Sequence, residues 1–201
     1  LDTWKEKTMI YTGERPTQDQ KDQIESSRLR YHSILPFCSN KSIFDMGCGI
    51  GSGTHYLAQH TNQKVVGYDC CEEAIQEATN TFKLPNLYFS NTLLNYFMFE
   101  IISMIEFIEH LEHNEAIELL STISKQSSYP ILALTTPNGD VFPYHPANQS
   151  EYRGFHKWHF TYQELEFLKS IFEFVEIYAH MYDPTIQKFT SYTVIATNKK
   201  I

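Results

Sequence analysis

Apolar positions fall in short blocks along this chain, and the blocks alternate between two periods. From about Gln18 to Pro36, Ile24, Leu29, Ile34 and Leu35 stand among charged residues in an amphipathic pattern that Pro36 stops, which predicts a leading helix. Lys41 to Met46 then gathers Ile43, Phe44 and Met46 into a short strand, and a run of glycines follows at once. Thr54 to His60 predicts a helix. Lys64 to Asp69 is a second strand ending on an acid, and Glu72 to Phe82 a helix with Ala74, Ile75 and Ala78 at helical spacing. Third, fourth and fifth strands are predicted at Asn86–Ser90, Phe99–Ile105 and Pro130–Thr135. Between the last two lies a helix from Asn114 to Lys125, with Ala116, Ile117, Leu119, Leu120 and Ile123 on its buried side. A helix from Tyr162 to Ile171 precedes two final strands, Phe174–His180 and Tyr192–Thr197.

Strands alternating with helices imply an α/β chain with a mainly parallel sheet covered on both faces, and ligands at the carboxyl ends of the strands near the switch point. The last two strands, joined without a helix, are expected to be antiparallel neighbours. The expected fold class is a single-domain, doubly wound, Rossmann-like sheet of seven strands with an antiparallel C-terminal strand. No internal repeat or low-complexity linker interrupts it.

Composition narrows this picture. A chain of 201 residues is long enough for one domain with a proper core. The 14 Phe and 13 Tyr supply an aromatic-rich interior or cleft. A formal net charge of -8 argues against a broad grip on nucleic acid, which draws on clustered Lys and Arg, and leaves room only for a small basic patch. The four cysteines, with Cys70 and Cys71 adjacent, Cys48 among the glycines and Cys38 alone, do not resemble a disulfide framework; a reducing, cytoplasmic setting is expected. No window approaches the ~18 to 20 apolar residues of a membrane span, and the N-terminus has no signal-peptide core.

Glycines at 47, 49, 51 and 53 let the backbone turn tightly between the first strand and its helix, leaving no side chain between the chain and a ligand. Asp69 ends the second strand, where a carboxylate can accept both hydroxyls of a ribose. A dinucleotide site would place an acid there too. Against it stand the G-C-G-I-G-S-G loop preceded by Asp45, the short chain and the lack of a second nucleotide-binding half.

The segment Phe44-Asp45-Met46-Gly47-Cys48-Gly49-Ile50-Gly51 resembles motif I of class I S-adenosylmethionine-dependent methyltransferases, and Val66-Gly67-Tyr68-Asp69 resembles their second motif. The resemblance implies that the loop, Asp45 and Cys48 included, holds S-adenosylmethionine. Gly47, Gly49 and Gly51 would line its methionine and ribose portions, Asp69 would bind the ribose, and Cys70 would lie against the adenine. Asn91 stands where many relatives carry an Asp that meets the adenine amino group, and its amide oxygen can accept the same bond. A second resemblance, through Tyr11-Thr12-Gly13-Glu14-Arg15, Arg30-Tyr31, Ile105 to Leu111, Thr136-Pro137-Asn138 and Phe155-His156, is to bacterial-type methyltransferases associated with surface-glycan or natural-product pathways. It implies an N-terminal lid over residues 1–40 and a methyltransferase core over 41–201, with an acceptor-binding loop at about 137–160.

Glu106, Glu109 and His110 fall at the carboxyl end of the fourth strand, where the reacting methyl is expected. If a helical turn begins there, this spacing places two carboxylates and an imidazole around one divalent ion, with His156 or His159 completing the set. Such an ion could bind vicinal hydroxyls and lower the pKa of the one being methylated. The constellation resembles that of small-RNA 3′-terminal 2′-O-methyltransferases of the Hua-enhancer type, which use magnesium or manganese; there His159 replaces a glutamate. The glycan-associated group carries the same pattern. The competing reading has Glu109 and His110 capping a helix with Glu106 solvated in the cleft.

His110, His156 and Glu106 are the candidate catalytic residues, since an oxygen acceptor needs its proton removed. Tyr144, His145 and Trp158 are candidate substrate contacts; His145 equally suits a solvated turn, and Trp158 an anchor for its loop. His55, His60 and His113 read as surface or capping residues. The leading expectation is methyl transfer to a small molecule or to a sugar hydroxyl or amine of a glycan. The alternatives are RNA 2′-O-methylation and a non-catalytic binding module that keeps the fold as a scaffold.

Overall fold

A computed structural model describes residues 21–145 and 155–198 of the chain. Helix α1 (Lys21–Ile34), continued by a 3-10 turn at Leu35–Phe37, leads into β1 (Ile43–Met46), α2 (Ser52–Ala58), β2 (Val65–Tyr68), α3 (Glu72–Thr81) and β3 (Leu87–Ser90). Then follow β4 (Ile101–Ile105), α4 (His113–Ser124), β5 (Ile131–Pro137), a short α5 (Tyr162–Leu165) with a 3-10 extension at Glu166–Ser170, and the hairpin β6 (Phe174–Asp183) and β7 (Lys188–Thr197).

The strands form one seven-stranded sheet in the order β3-β2-β1-β4-β5-β7-β6. The first five are parallel to their neighbours, and β7 runs antiparallel to both β5 and β6. The expected fold class holds. In this order the chain reverses direction across the sheet between β1 and β4, which opens a crevice at their carboxyl ends.

Pleating sends alternate residues to opposite faces. Ile43, Val65, Ile101, Ala133 and Ile195 point to one side, where Tyr31 and Ile34 of α1 and Leu57 and Ala58 of α2 cover them. Phe44, Val66, Ile102, Leu132 and Val194 point to the other, against Ala116, Leu119, Leu120 and Ile123 of α4. Each fully buried Leu or Ile here contributes roughly 1.5–3 kcal/mol.

Element ends differ from expectation for local reasons. Strand β4 starts at Ile101 because the Glu100 side chain, just before it, accepts from the Ser42 N–H, and Phe99 packs its ring 5.5 Å from that of Phe44. Beyond Leu165 the predicted last helix tightens into 3-10 geometry. Its start is fixed by a capping box in which Thr161 and Glu164 satisfy each other's backbone N–H. The final strands extend past their predicted ends and carry the Tyr182–Phe189 ring pair, 5.3 Å apart, at the hairpin tip.

Candidate functional site

The glycine loop closes on itself through its neighbours. The N–H groups of Gly47 and Cys48 both donate to the Tyr68 carbonyl, at 2.8 and 2.9 Å, tying the loop to the end of β2. Gly47, Gly49 and Gly51 have φ of 78°, 54° and 83°, in the left-handed region that favours glycine. Asp69, nearly buried after β2, accepts from the Gly49 N–H at 3.0 Å through Oδ2 and from the Cys71 N–H at 2.9 Å through Oδ1. The loop and its acid are therefore one hydrogen-bonded unit. A carboxylate has about four acceptor sites, so holding the loop and accepting from a ribose are compatible.

Asp45 lies beneath this unit and is fully buried. Three hydroxyls donate to it: Thr54 at 2.7 Å and Tyr31 at 3.0 Å to Oδ2, and Ser103 at 2.7 Å to Oδ1. The carboxylate thus joins α1, α2, β1 and β4 behind the loop, and its atoms do not open onto the cleft. Burial pushes its pKa from 3.8 up to about 6 against the lowering effect of the three hydrogen bonds. A raised folded pKa means that the native state holds the extra proton between 3.8 and about 6, so this group's contribution to stability is lost as pH rises through that window. Asp45→Asn should remove that dependence. In urea melts the stability difference between wild type and variant should change by up to about 1.4 kcal/mol per pH unit inside the window and stay flat above it. A constant difference throughout would contradict the raised pKa.

At the end of β4 the two glutamates part. Glu106 has φ 51°, a strained value for a residue with a side chain. Its N–H donates to the Thr135 carbonyl at 3.0 Å, its Oε1 accepts from the Thr135 hydroxyl at 2.9 Å, and its Oε2 lies 3.3 Å from Arg30 Nε of α1 in a partly buried ion pair. Glu109 sits in the 3-10 turn Ile108–His110 and is fully buried. The Thr136 hydroxyl donates to its Oε2 at 3.3 Å, while its Oε1 has no hydrogen-bond partner among the described residues. Burial, then the nearby Glu106 charge, push its pKa well above the ordinary carboxylate range.

The segment after the acceptor loop returns to this turn. The N–H groups of Lys157 and Trp158 donate to the Glu109 carbonyl at 2.7 and 3.2 Å, and His110 Nδ1 lies 3.2 Å from the Phe155 carbonyl oxygen. One ligand-capable atom from each of Glu109, His110 and His156 comes within 4.8 Å of the other two. A buried carboxylate beside two imidazoles fits a divalent cation by its donor chemistry. Glu106 stands outside this group. The capping alternative does not hold: Glu109 is enclosed, and α4 has Glu112 at its N-cap, with no side-chain cap bond.

Other expected residues are distributed around this centre. Cys48 is buried under the loop, Cys70 is half-buried beside Asp69, and Asn91 is exposed just past β3. Trp158 donates from Nε1 to Glu164 at 3.1 Å and packs against His113, ring centres 4.7 Å apart, so it anchors the returning segment. The Tyr144 ring lies 6.2 Å from Trp158 and 5.9 Å from His159, and His145 is exposed. Residues 1–20 of the expected lid and 146–154 of the expected acceptor loop lie outside the described residues. Among the described residues no helix is long and apolar enough to cross a membrane. Tyr31, Thr54, Ser103 and Arg30, none of them expected as site partners, complete the arrangement.

Residues 43–126 match the methyltransferase domain family. Over 60 residues the chain is 38% identical to an uncharacterized RNA methyltransferase of Clostridium acetobutylicum; the match covers 28% of this chain and only 13% of that protein's length. The fold is similar to the methyltransferase domain of bacterial CtHen1-C, with TM-score 0.63 and 19% identity over 86% of this chain and 98% of that one. It is also similar to an S-adenosylmethionine-dependent methyltransferase from Mesorhizobium loti, with TM-score 0.67 and 15% identity over 83% and 95% of the two chains. At such identities the structural likeness speaks for the fold, while the family match covers the loop, its acid and the turn bearing Glu109. Residues 43–126 thus carry a methyltransferase domain, set in the fold shared by S-adenosylmethionine-dependent methyltransferases.

Proposed function

We propose that this methyltransferase acts on a hydroxyl group, on a sugar or sugar-bearing small molecule, with a divalent cation such as magnesium or manganese held by Glu109, His110 and His156. The observation that carries this reading is the meeting of those three side chains, in a group whose carboxylate also has an oxygen without a hydrogen-bond partner among the described residues. An amine acceptor arrives with its own lone pair and gives no reason to keep a buried carboxylate beside two imidazoles. A cation there would supply Lewis acidity that makes an adjacent hydroxyl easier to deprotonate. Glu106 is then a holder of Arg30 and of the end of β5 rather than a ligand.

For S-adenosylmethionine, the positive-φ glycines let the loop backbone approach a ligand with no side chain at those three positions, and Asp69 stands at the strand end beside it. The cofactor supplies an electrophilic methyl group; the chain's task is to hold donor and acceptor in line, since orientation provides most of the acceleration for such a displacement. Asp69→Ala should weaken S-adenosylmethionine binding at least tenfold, about 1.4 kcal/mol, in a calorimetric titration. Unchanged affinity would remove Asp69 from the site. No binding by wild type would favour a non-catalytic module.

RNA terminal ribose is a second reading, because its 2′- and 3′-hydroxyls are a vicinal pair suited to the same cation and because the curated relative is named an RNA methyltransferase. The net charge of -8 weighs against it. Transfer of labelled methyl should be tested on simple glycosides, on single-stranded RNA and on RNA whose terminal diol has been oxidised. Activity on glycosides that disappears with a chelator and returns with magnesium or manganese supports the first reading. Activity confined to intact RNA supports the second. Full activity in the chelator removes the cation from both.

A further inference from the structure

His159 is used by neither the cofactor loop nor the three-residue group, yet it is 3% exposed and bonded directly to one member of that group. Its Nδ1 lies 2.7 Å from the Phe142 carbonyl oxygen, and its Nε2 lies 2.6 Å from His156 Nδ1. A carbonyl oxygen only accepts, so Nδ1 carries the hydrogen. A neutral imidazole has one N–H, so in the neutral ring Nε2 accepts and His156 Nδ1 donates to it. The chain of bonds therefore runs from His156 through His159 to a fixed backbone carbonyl. In this tautomer His156 carries its lone pair on Nε2, and His110, donating from Nδ1 to the Phe155 carbonyl 3.2 Å away, carries its own on Nε2 as well.

The backbone beneath His159 is held tightly. Gly139 donates its N–H to the Phe160 carbonyl at 3.0 Å, and a Cβ at Gly139 would come within 2.6 Å of the His159 carbonyl oxygen. The loop start at Phe142 and the returning segment at His159 are thus pinned to each other through both backbone and side chain.

We infer that His159 is a positioning residue: it sets the tautomer and ring orientation of His156, so that His156 converges with Glu109 and His110 on one divalent cation. This rests on the cation-assisted reading above. It also assigns the third histidine of the cluster to support rather than ligation, in the way that metal-bound imidazoles are oriented by an acceptor behind them.

The test uses the full chain labelled with 15N at histidine, compared with His159→Leu, which removes the acceptor, and His159→Gln, whose amide can accept from His156 and donate to Phe142. Long-range 15N–1H spectra without added cation should show His156 as the Nδ1–H tautomer in wild type and in His159→Gln, and a mixture in His159→Leu. Mn2+ binding followed by electron paramagnetic resonance should weaken about 10- to 100-fold in His159→Leu and stay within about threefold of wild type in His159→Gln. An Nε2–H His156 in wild type, or equal Mn2+ affinity in wild type and His159→Leu, overturns the inference. Should His159→Leu fail to fold by circular dichroism, the wild-type tautomer and the His159→Gln affinity decide it. Wild type that shows the Nδ1–H tautomer but binds no Mn2+ overturns the cation-assisted reading instead, and the two failures are thereby told apart.

Discussion

A Glu109→Gln enzyme is expected to transfer methyl groups on the order of 10² to 10⁴ times more slowly than wild type, while its cation-free form unfolds at an equal or higher urea concentration. The two halves of this result share one cause. Glu109 is fully enclosed, one of its oxygens has no hydrogen-bond partner among the described residues, and the nearby Glu106 charge adds to the cost of ionising it. An enclosed carboxylate with so little compensation is a source of instability, and replacing it with a neutral amide of the same shape relieves the burial penalty. The sign with pH follows. Because burial raises its pKa, Glu109 favours the fold in its protonated form, and its contribution is lost as pH rises through that raised value. Wild type should therefore gain stability on acidification above the ordinary carboxylate range relative to Glu109→Gln, and should gain melting temperature with Mn2+ where the variant does not. Such exchange of stability for activity is what a ligand-binding carboxylate predicts. A variant that keeps full kcat, or that is less stable than wild type by more than about 2 kcal/mol, comparable to a lost buried hydrogen bond, would mark Glu109 as structural.

Much of the fold was legible because both faces of the sheet are covered. The inner strands then read as short unbroken apolar runs, and their alternation with helices fixes the parallel connections. Element ends were less legible. Helix α2 begins at Ser52, before Thr54, because Gly51 with φ 83° already turns the chain into its first turn. The hairpin strands run past their predicted ends because edge pairing there is backbone hydrogen bonding, indifferent to the polar side chains that interrupt the apolar pattern.

The site divides in the same way. The nearness of Glu109 and His110 was legible because polar, ligand-capable side chains follow directly on an apolar strand, at the carboxyl end of the sheet. His156 joined them because imidazole is the side chain that most readily completes such a donor set. Glu106 shows where spacing fails. A three-residue separation puts two side chains on one face only if the backbone is helical throughout, and Glu106 takes φ 51° before the turn at Ile108–His110 begins. Its carboxylate goes to Thr135 and Arg30 instead. The donors to Asp45 were silent in the sequence: Tyr31, Thr54 and Ser103 are residue types found anywhere, and only the fold brings them to one buried acid. The bonds from Thr135 and Thr136 of β5, one to each glutamate, were silent for the same reason.

A Gly51→Ala substitution is expected to damage the cofactor end of the cleft through the backbone and packing alone. Two independent costs meet at this residue. Its φ of 83° lies in the region that L-residues adopt at a cost of roughly 1–2 kcal/mol. A Cβ built there would also stand 2.6 Å from Phe89 Cε1 and 2.7 Å from the Ala78 Cβ. Ala78 is on α3 and Phe89 on β3, so the loop after β1 is packed directly against the next strand-helix unit, and neither contact is the far end of a flexible chain. Overpacking of this kind costs about 1–3 kcal/mol. Together they predict a loss of about 2–5 kcal/mol in urea unfolding, a large share of the roughly 5–15 kcal/mol available to a domain. Because Gly51 N–H donates to the Cys48 carbonyl at 3.0 Å, any shift that relieves the clash also moves the loop. S-adenosylmethionine affinity should therefore fall beyond what instability accounts for, when measured well below the unfolding transition. Phe89→Leu in the same chain should recover part of the stability by opening space against the new methyl, while the strain from φ remains. A Gly51→Ala protein within about 1 kcal/mol of wild type, smaller than either cost alone predicts, would show that the loop is not packed this way.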